Sequence, residues 1–193
     1  MALPTPDGHD RSALLELLAN IAFERRQVTL SSGRQADYYL DCRRVTLHPE
    51  GARLCGRVMY DLYRGEVPRI EAVGGPTLGA DPLVTSFMLR ALEQGEPLPG
   101  FLVRKEAKAH GTASRIEGLW GVRNGAAVLL VEDVLTTGGS LLQALEAVRE
   151  RGLDAVAAMV LVDREEGGRQ ALADKGLPVV AAFRASEVAA RAP

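Results

Sequence analysis

The sequence predicts a doubly wound α/β domain, a mostly parallel sheet with helices on both faces. Three observations carry that reading. Short strand-like runs alternate with amphipathic helical runs from about residue 70 to residue 182. Those strand-like runs are β-branched or continuously apolar, as in strands buried on both faces. The segments richest in glycine, hydroxyl and charge follow directly after them, at the end of the sheet where open α/β folds bind ligands.

Taken in order, Pro4, Pro6 and Gly8 make residues 1–11 a flexible lead. Leu14, Leu15, Leu17, Leu18, Ile21 and Ala22 then recur at helical spacing, which predicts a helix over residues 12–24. Residues 28–30 and 38–40 read as short strands around the turn-rich SSGRQ. Pro49 and Glu50 open a second helix, whose apolar face carries Ala52, Leu54, Cys55, Val58, Met59 and Leu62. Beyond it the pattern predicts strands over residues 70–73, 100–103, 127–131, 155–162 and 179–182. Helices over residues 78–92, 141–149 and 168–174 connect them. No internal repeat or low-complexity stretch interrupts the series.

With 193 residues, 47% hydrophobic and 25% charged, the chain can bury a full core as a single domain over residues 1–193. A formal net charge of -2 excludes a general nucleic-acid or anionic-membrane surface. Cys42 and Cys55 have no CxxC spacing and no neighbouring ligand residues, which argues against a disulfide framework or structural zinc and fits a reducing cytoplasm. The start, MALPTPDGHDR, lacks the basic and apolar regions of a secretory signal, and no run approaches the ~18 apolar residues of a membrane span. The expectation is a soluble, cytoplasmic protein with no nucleic-acid or membrane partner.

Residues 128–140, VLLVEDVLTTGGS, concentrate the chemistry. An apolar strand leads to Glu132 and Asp133, then Val134 and Leu135, then Thr136, Thr137, Gly138, Gly139 and Ser140 before a helix. Glycines admit backbone N–H groups close to an anion, hydroxyls add donors, and the positive end of the following helix favours phosphate. Two carboxylates beside such a nest suit a phosphate borne on a sugar, whose hydroxyls need acceptors, or one whose distal phosphates carry a divalent cation. The segment is neither a P-loop, since the GxxxxGK[ST] lysine is missing, nor GxGxxG, since its glycines are adjacent. Its pieces singly also fit a strand, an Asp turn and a capped helix. As one ordered run of thirteen residues they read as a phosphoribosyl site.

That run resembles the phosphoribosyl-diphosphate (PRPP) signature of type I phosphoribosyltransferases. The resemblance implies a type I phosphoribosyltransferase-like doubly wound parallel sheet with a small hood from both termini: residues 12–45 as the N-terminal hood segment, 46–175 as the core and 176–193 as the C-terminal contribution. It implies PRPP binding by residues 132–140, with Glu132 and Asp133 accepting from the ribose 2- and 3-hydroxyls and Thr136 to Ser140 cradling the 5-phosphate.

Other segments point to a branch. RKEAKAHG concentrates Arg104, Lys105, Lys108 and His110 after a strand, within a loop of residues 104–118. Such a string also suits a solvated charged loop, but beside a PRPP site it can neutralise a departing pyrophosphate. It resembles the mobile catalytic loop of orotate phosphoribosyltransferases, which closes over PRPP in the partner's site of a homodimer. TLSSGR followed by DYYLD resembles that family's segment over the nucleobase, which marks Tyr39, and GGPTLGA resembles its loop near the pyrophosphate. Arg164, after a strand, is implied as the orotate carboxylate's partner, with Thr136 alongside; a guanidinium can grip a carboxylate by two parallel hydrogen bonds, whereas a surface pair with Asp163 is the plainer account. Two departures stand out: Ser31 and Leu78, where some members carry phosphate-contacting lysines, with Arg34 or Arg44 as candidate substitutes.

The implied reaction moves the phosphoribosyl group of PRPP to N1 of orotate, giving orotidine 5-phosphate and pyrophosphate on the route to UMP. Lys105, Lys108, His110 and Asp133 are the implied catalytic residues. Mg²⁺ is expected as cofactor on PRPP near Glu132 and Asp133, with no direct protein metal site. The rival expectations are a purine or xanthine phosphoribosyltransferase and a non-catalytic PRPP-sensing regulator.

Overall fold

Residues 8–29, 35–106 and 114–193 are described by the computed structural model of the chain. It begins with helix α1 (Gly8–Leu17), which a π-helical turn, Leu18–Ala22, extends. Leu14 and Leu18, one turn apart on one face, are fully buried. The helix starts earlier than the sequence predicts, and the expected lead of residues 1–11 is corrected at its end. Asp10 is buried and accepts from Arg57 at 3.0 Å, while Arg11 donates to the carbonyl of Ala182 and to Glu187. These contacts fix the first turn, and residues 1–7 lie outside the described residues. The helix also ends earlier, because Phe23 and Glu24 leave it to form a strand.

Four two-residue strands follow: β1 (Phe23–Glu24), β2 (Val28–Thr29), β3 (Gln35–Ala36) and β4 (Tyr39–Leu40). β2 pairs with β3, but β4 pairs back with β1, Phe23 opposite Leu40. A short helix α2 (Arg43–Thr46) leads to α3 (Pro49–Glu66), which starts where Pro49 predicts, with His48 accepting from the Gly51 amide.

The remaining elements are β5 (Ala72–Pro76), α4 (Ala80–Glu93), β6 (Gly100–Val103), β7 (Ile116–Glu117), β8 (Ala127–Leu135), α5 (Gly139–Glu150), β9 (Asp154–Asp163), α6 (Gly168–Ala173), β10 (Val179–Arg184) and α7 (Ala185–Arg191). The central sheet has the order β10-β9-β8-β5-β6-β7, parallel throughout except for β7 against β6. Val73, Leu129 and Val131 pack with α3 and α4 on one face, and Ala72, Val128 and Leu130 with α5 on the other. Both sets are buried, which is why the strands read as continuous apolar runs. The chain steps from β5 outward to β6, then returns to the opposite side of β5 at β8. That reversal opens a crevice at the carboxyl ends of β5 and β8.

Two strands outlast their expected spans, and both extensions matter to the site. β5 runs on through Gly74 and Gly75, where the neighbouring strand backbone leaves no room for a side chain: a Cβ on Gly75 would lie 2.0 Å from the Val131 carbonyl oxygen. β8 keeps its pairing with β9 to Leu135 opposite Asp163, so Glu132 and Asp133 stand within the strand rather than after it. The expected hood contribution of residues 176–193 is likewise corrected. β10 belongs to the central sheet, where Arg184 pairs opposite Asp163, and only α7 turns back to pack on α1. The hydrogen bond of Arg191 to Glu16 ties these two helices. Among the described residues, no helix is long and apolar enough to cross a membrane.

Candidate active site

The crevice at the switch point is a cleft of about 920 Å³. Its floor is the carboxyl end of β8, with Asp133 and Val134; one wall is the turn after β5, Thr77 to Gly79; another is the end of β6, with Leu102, Arg104, Lys105 and Glu106. The hood supplies the last side through Leu40, Asp41, Cys42 and Arg43. Gly79 is required by close approach, since a Cβ there would sit 2.3 Å from Asp133 Oδ1. The Thr77–Leu78 peptide is cis.

Glu132 and Asp133 are held in a largely apolar setting. Burial, reinforced by the charge of Asp133, pushes the Glu132 carboxyl up to about 7, with the Ser140 side chain opposing the shift. Burial also raises Asp133, against a hydrogen bond from the Val134 amide and the field of Arg43. Among the described residues no cation hydrogen-bonds either acid. Two such carboxylates are poised to accept from a ligand's hydroxyls.

After them the chain enters the helix N-terminus. Gly138 caps α5 in the left-handed region at φ 85°, a conformation costly for other residues, and Gly168 donates its amide to the Thr136 carbonyl. Thr137, Gly139 and Ser140 are exposed, so this end of α5 is open to an anion. Val134 faces the cleft, whereas the Leu135 side chain is fully buried in the core and can only serve packing.

Arg104 and Lys105 border both the cleft and a smaller recess shared with Ser140 and Gln143, which joins the cationic segment to the start of α5. The Arg104 guanidinium reaches Glu117 at 3.4 Å across the β6–β7 pair. Lys108 and His110 lie outside the described residues, as do Ser31 and Arg34. Leu78 is exposed at the cleft wall. Arg44 turns away from the cleft to Glu24 and the Ile21 carbonyl.

Arg164 follows β9 and is buried, 8% exposed. Its Nε donates to Glu166 at 2.8 Å, and its guanidinium lies 4.5 Å from the centre of the Tyr38 ring. The surface pair with Asp163 does not form; Asp163 instead accepts from the Glu165 amide and from Arg169. Nη2 of Arg164 is buried with no hydrogen-bond partner among the described residues, a costly state that a ligand carboxylate would relieve. Tyr39, singled out from the sequence, sits instead beneath Arg26, 4.6 Å from ring centre to guanidinium. Alternation along the chain puts neighbouring tyrosines on opposite faces, and Tyr38, stacked on Phe23, is the one that meets Arg164. Tyr38, Asp41, Arg43 and Glu166 are site residues the sequence reading passed over. The run DYYLDCRR, dense in aromatic and charged side chains, signalled the first three, and nothing in the sequence singled out Glu166.

Among the described residues no group of His, Cys, Asp and Glu could hold a metal ion by itself. The donor set at the end of β8, the half-buried carboxylates of Glu132 and Asp133, would suit a magnesium ion carried in on a substrate with its own waters.

The Phosphoribosyl transferase domain model matches residues 44–178. Orotate phosphoribosyltransferase of Sorangium cellulosum is 44% identical over 172 residues, 89% of each chain. That of Rhodopirellula baltica is 46% identical over 176 residues, covering 88% of this chain and 89% of its own. Among solved structures, Mycobacterium tuberculosis orotate phosphoribosyltransferase in complex with PRPP superposes with a TM-score of 0.77 at 38% identity, covering 93% of this chain and 98% of that one. Adenine phosphoribosyl transferase from Trypanosoma brucei shares the fold, with a TM-score of 0.66 at 17% identity over 95% of this chain and 82% of that one.

Proposed function

The chain belongs to the phosphoribosyltransferase family, on its orotate branch, and from that membership we propose that it transfers the phosphoribosyl group of PRPP to N1 of orotate. The products are orotidine 5-phosphate and pyrophosphate, a step of pyrimidine biosynthesis. The observation that carries the reading within the site is Arg164, a buried cation whose Nη2 has no partner among the described residues and whose amide bonds to the Leu135 carbonyl at the end of the strand that carries Glu132 and Asp133.

In this reading the exposed amides and hydroxyls from Thr136 to Ser140 bind the 5-phosphate at the start of α5. Glu132 and Asp133 accept from the ribose 2- and 3-hydroxyls, and the backbone at Val134 and Leu135 completes the donor's bed. Displacement at C1 passes through a centre with oxocarbenium character, so positioning and charge stabilisation dominate. Asp133, beside the reacting carbon, favours that developing positive charge. Lys105 stabilises the departing pyrophosphate, aided by Arg104, Lys108 and His110. Arg164 and Thr136 orient orotate, with Tyr38 fixing the guanidinium. Glu132 and Asp133 are the residues that would lie near a Mg²⁺ brought in on PRPP, which would supply further charge neutralisation.

The reading includes a homodimer in which the loop of residues 104–118 serves the partner's site; Lys105 also lines the chain's own cleft, so sharing would concern the rest of the loop. A reducing, cytoplasmic setting fits Cys42 and Cys55, buried free thiols whose ionisation burial opposes. Sedimentation of the full chain should give a dimer mass.

The test of substrate is PRPP turnover with orotate, uracil, adenine, guanine and xanthine in parallel. Orotate alone should be consumed, because uracil lacks the carboxylate that rewards Arg164. Consumption of a purine without orotate would make the chain a purine phosphoribosyltransferase, and PRPP binding without turnover of any base would make it a regulator.

A further inference from the structure

The charged lining of the cleft is unequal to its proposed cargo. Among the described residues Asp41, Glu106, Glu117 and Asp133 oppose Arg43, Arg104 and Lys105 there, and Arg104 is already paired with Glu117. A diphosphate seated between these walls needs cations from more than one direction. Arg104 and Lys105 both stand on the β6 wall. Among the described residues Arg43 is the cation that lines the cleft from the hood wall.

Its setting is that of a held side chain. The Arg43 amide and Nε both donate to Asp41 Oδ1, at 3.2 and 2.8 Å, and Nη2 donates to Oδ2 at 3.2 Å. Asp41 is fixed in turn, its amide bonded to the Ala22 carbonyl, and Cys42 between the two residues is fully buried. The α2 turn holds the backbone through the bonds of Val45 and Thr46 to the Cys42 carbonyl. A guanidinium carries five N–H donors in a rigid fork. Asp41 engages the Nε edge, which leaves the Nη1 end for a second anion. The side chain keeps 51% exposure, against 17% for Asp41, so that end is open. Its charge also reaches the floor of the cleft, where it lowers the Asp133 carboxyl against the effect of burial. Arg44, one residue on, is spent on Glu24.

We propose that Arg43 binds the diphosphate of the donor from the hood wall, opposite Lys105, and that Asp41 is the positioning residue that aims it. The proposal rests on the phosphoribosyltransferase reading and adds a diphosphate contact that the cationic loop does not provide. It also separates the two phosphate groups of the donor: the 5-phosphate lies at α5, beyond the reach assigned to Arg43.

That separation gives the test. Binding of magnesium pyrophosphate and of orotidine 5-phosphate, which carries only the 5-phosphate, is measured by calorimetry on the full chain and its variants. Arg43→Ala should weaken pyrophosphate about 10- to 100-fold, the worth of a charged hydrogen bond, and leave orotidine 5-phosphate within about threefold. Arg43→Lys should recover part of the loss, since it keeps charge without the fork. Asp41→Asn should lose part of the pyrophosphate affinity while Arg44→Ala binds both ligands as the unmodified chain does. Unchanged pyrophosphate affinity in Arg43→Ala overturns the proposal, as does an equal loss for both ligands, which would mean a damaged hood. An unmodified chain that binds neither ligand overturns the underlying reading as well, and that failure is visible before any substitution is made.

Discussion

Glu132 and Asp133, half-buried within β8, and Arg164, buried just after the neighbouring β9, are charges held in opposite ways. The two acids have no cation hydrogen-bonded to them among the described residues, and burial pushes Glu132 to about 7. Arg164 has its counter-charge built in, through Glu166, and an aromatic face, Tyr38, over its guanidinium. The donor side is therefore a pair of acceptors without a hydrogen-bonded cation among the described residues, supported by backbone: the β8–β9 ladder, the Gly79 approach and the Gly138 cap. The base side depends on side chains, with one guanidinium edge left over for the ligand. The difference teaches that recognition of the donor is carried by strand geometry and recognition of the base by a few replaceable groups.

Substitutions should break that comparison in graded ways. The largest effect is expected at neither pole but between them: Lys105→Ala should lower kcat by about 100- to 1000-fold, as loss of a group stabilising transition-state charge does, with KM for PRPP much less affected. Steady-state kinetics with both substrates varied would check it. Next, Arg164→Met should lower kcat/KM for orotate by about 10- to 100-fold, the range for a charge-assisted hydrogen-bonded contact, while pyrophosphate affinity stays near its original value. Equal losses for both would erase the distinction between the two sides.

The donor side should respond to pH where the base side does not. Glu132 is raised in the folded chain from an ordinary value of 4.5 to about 7, so between those values the folded state holds the extra proton. Stability contributed by this group is full below the lower value, falls as pH rises through about 7 and is flat above. Acceptance from ribose hydroxyls needs the ionised form, so PRPP affinity should weaken as pH drops below 7, by at most about tenfold per unit for one proton. Glu132→Gln should flatten that dependence in a calorimetric pH series. The smallest effect is expected at Tyr38→Leu, where the guanidinium that loses the ring keeps its Glu166 partner; KM for orotate should rise about two- to tenfold, part of the ~2 kcal/mol of a desolvated cation–π contact.

The sheet was legible because its strands are buried on both faces, and residues 100–103 coincide with β6. The strand ends were not. Gly74 and Gly75 read locally as a turn, yet they extend β5 because β8 and Phe101 press against them; only the neighbours reveal that. Glu132 and Asp133 read as the residues after a strand, whereas pairing to β9 continues past them to Leu135, whose burial is a tertiary fact. The proposed donor grip was readable in the ordered run from Val128 to Ser140, since its chemistry is contiguous. The base corner is assembled from Tyr38 and Arg164, far apart in sequence, so the choice between Tyr38 and Tyr39 needed the side each ring faces. Arg43 and Arg44 posed the same problem, and their opposite orientations decide it: one faces the cleft, the other Glu24.

The most direct test of the central claim is the absorbance of orotate followed in the presence of the full chain, PRPP and Mg²⁺, with pyrophosphate measured alongside. Loss of orotate equal to the pyrophosphate formed, requiring PRPP and ceasing when Mg²⁺ is chelated, is the expected result. Orotate that stays unchanged while the chain binds PRPP would contradict the account.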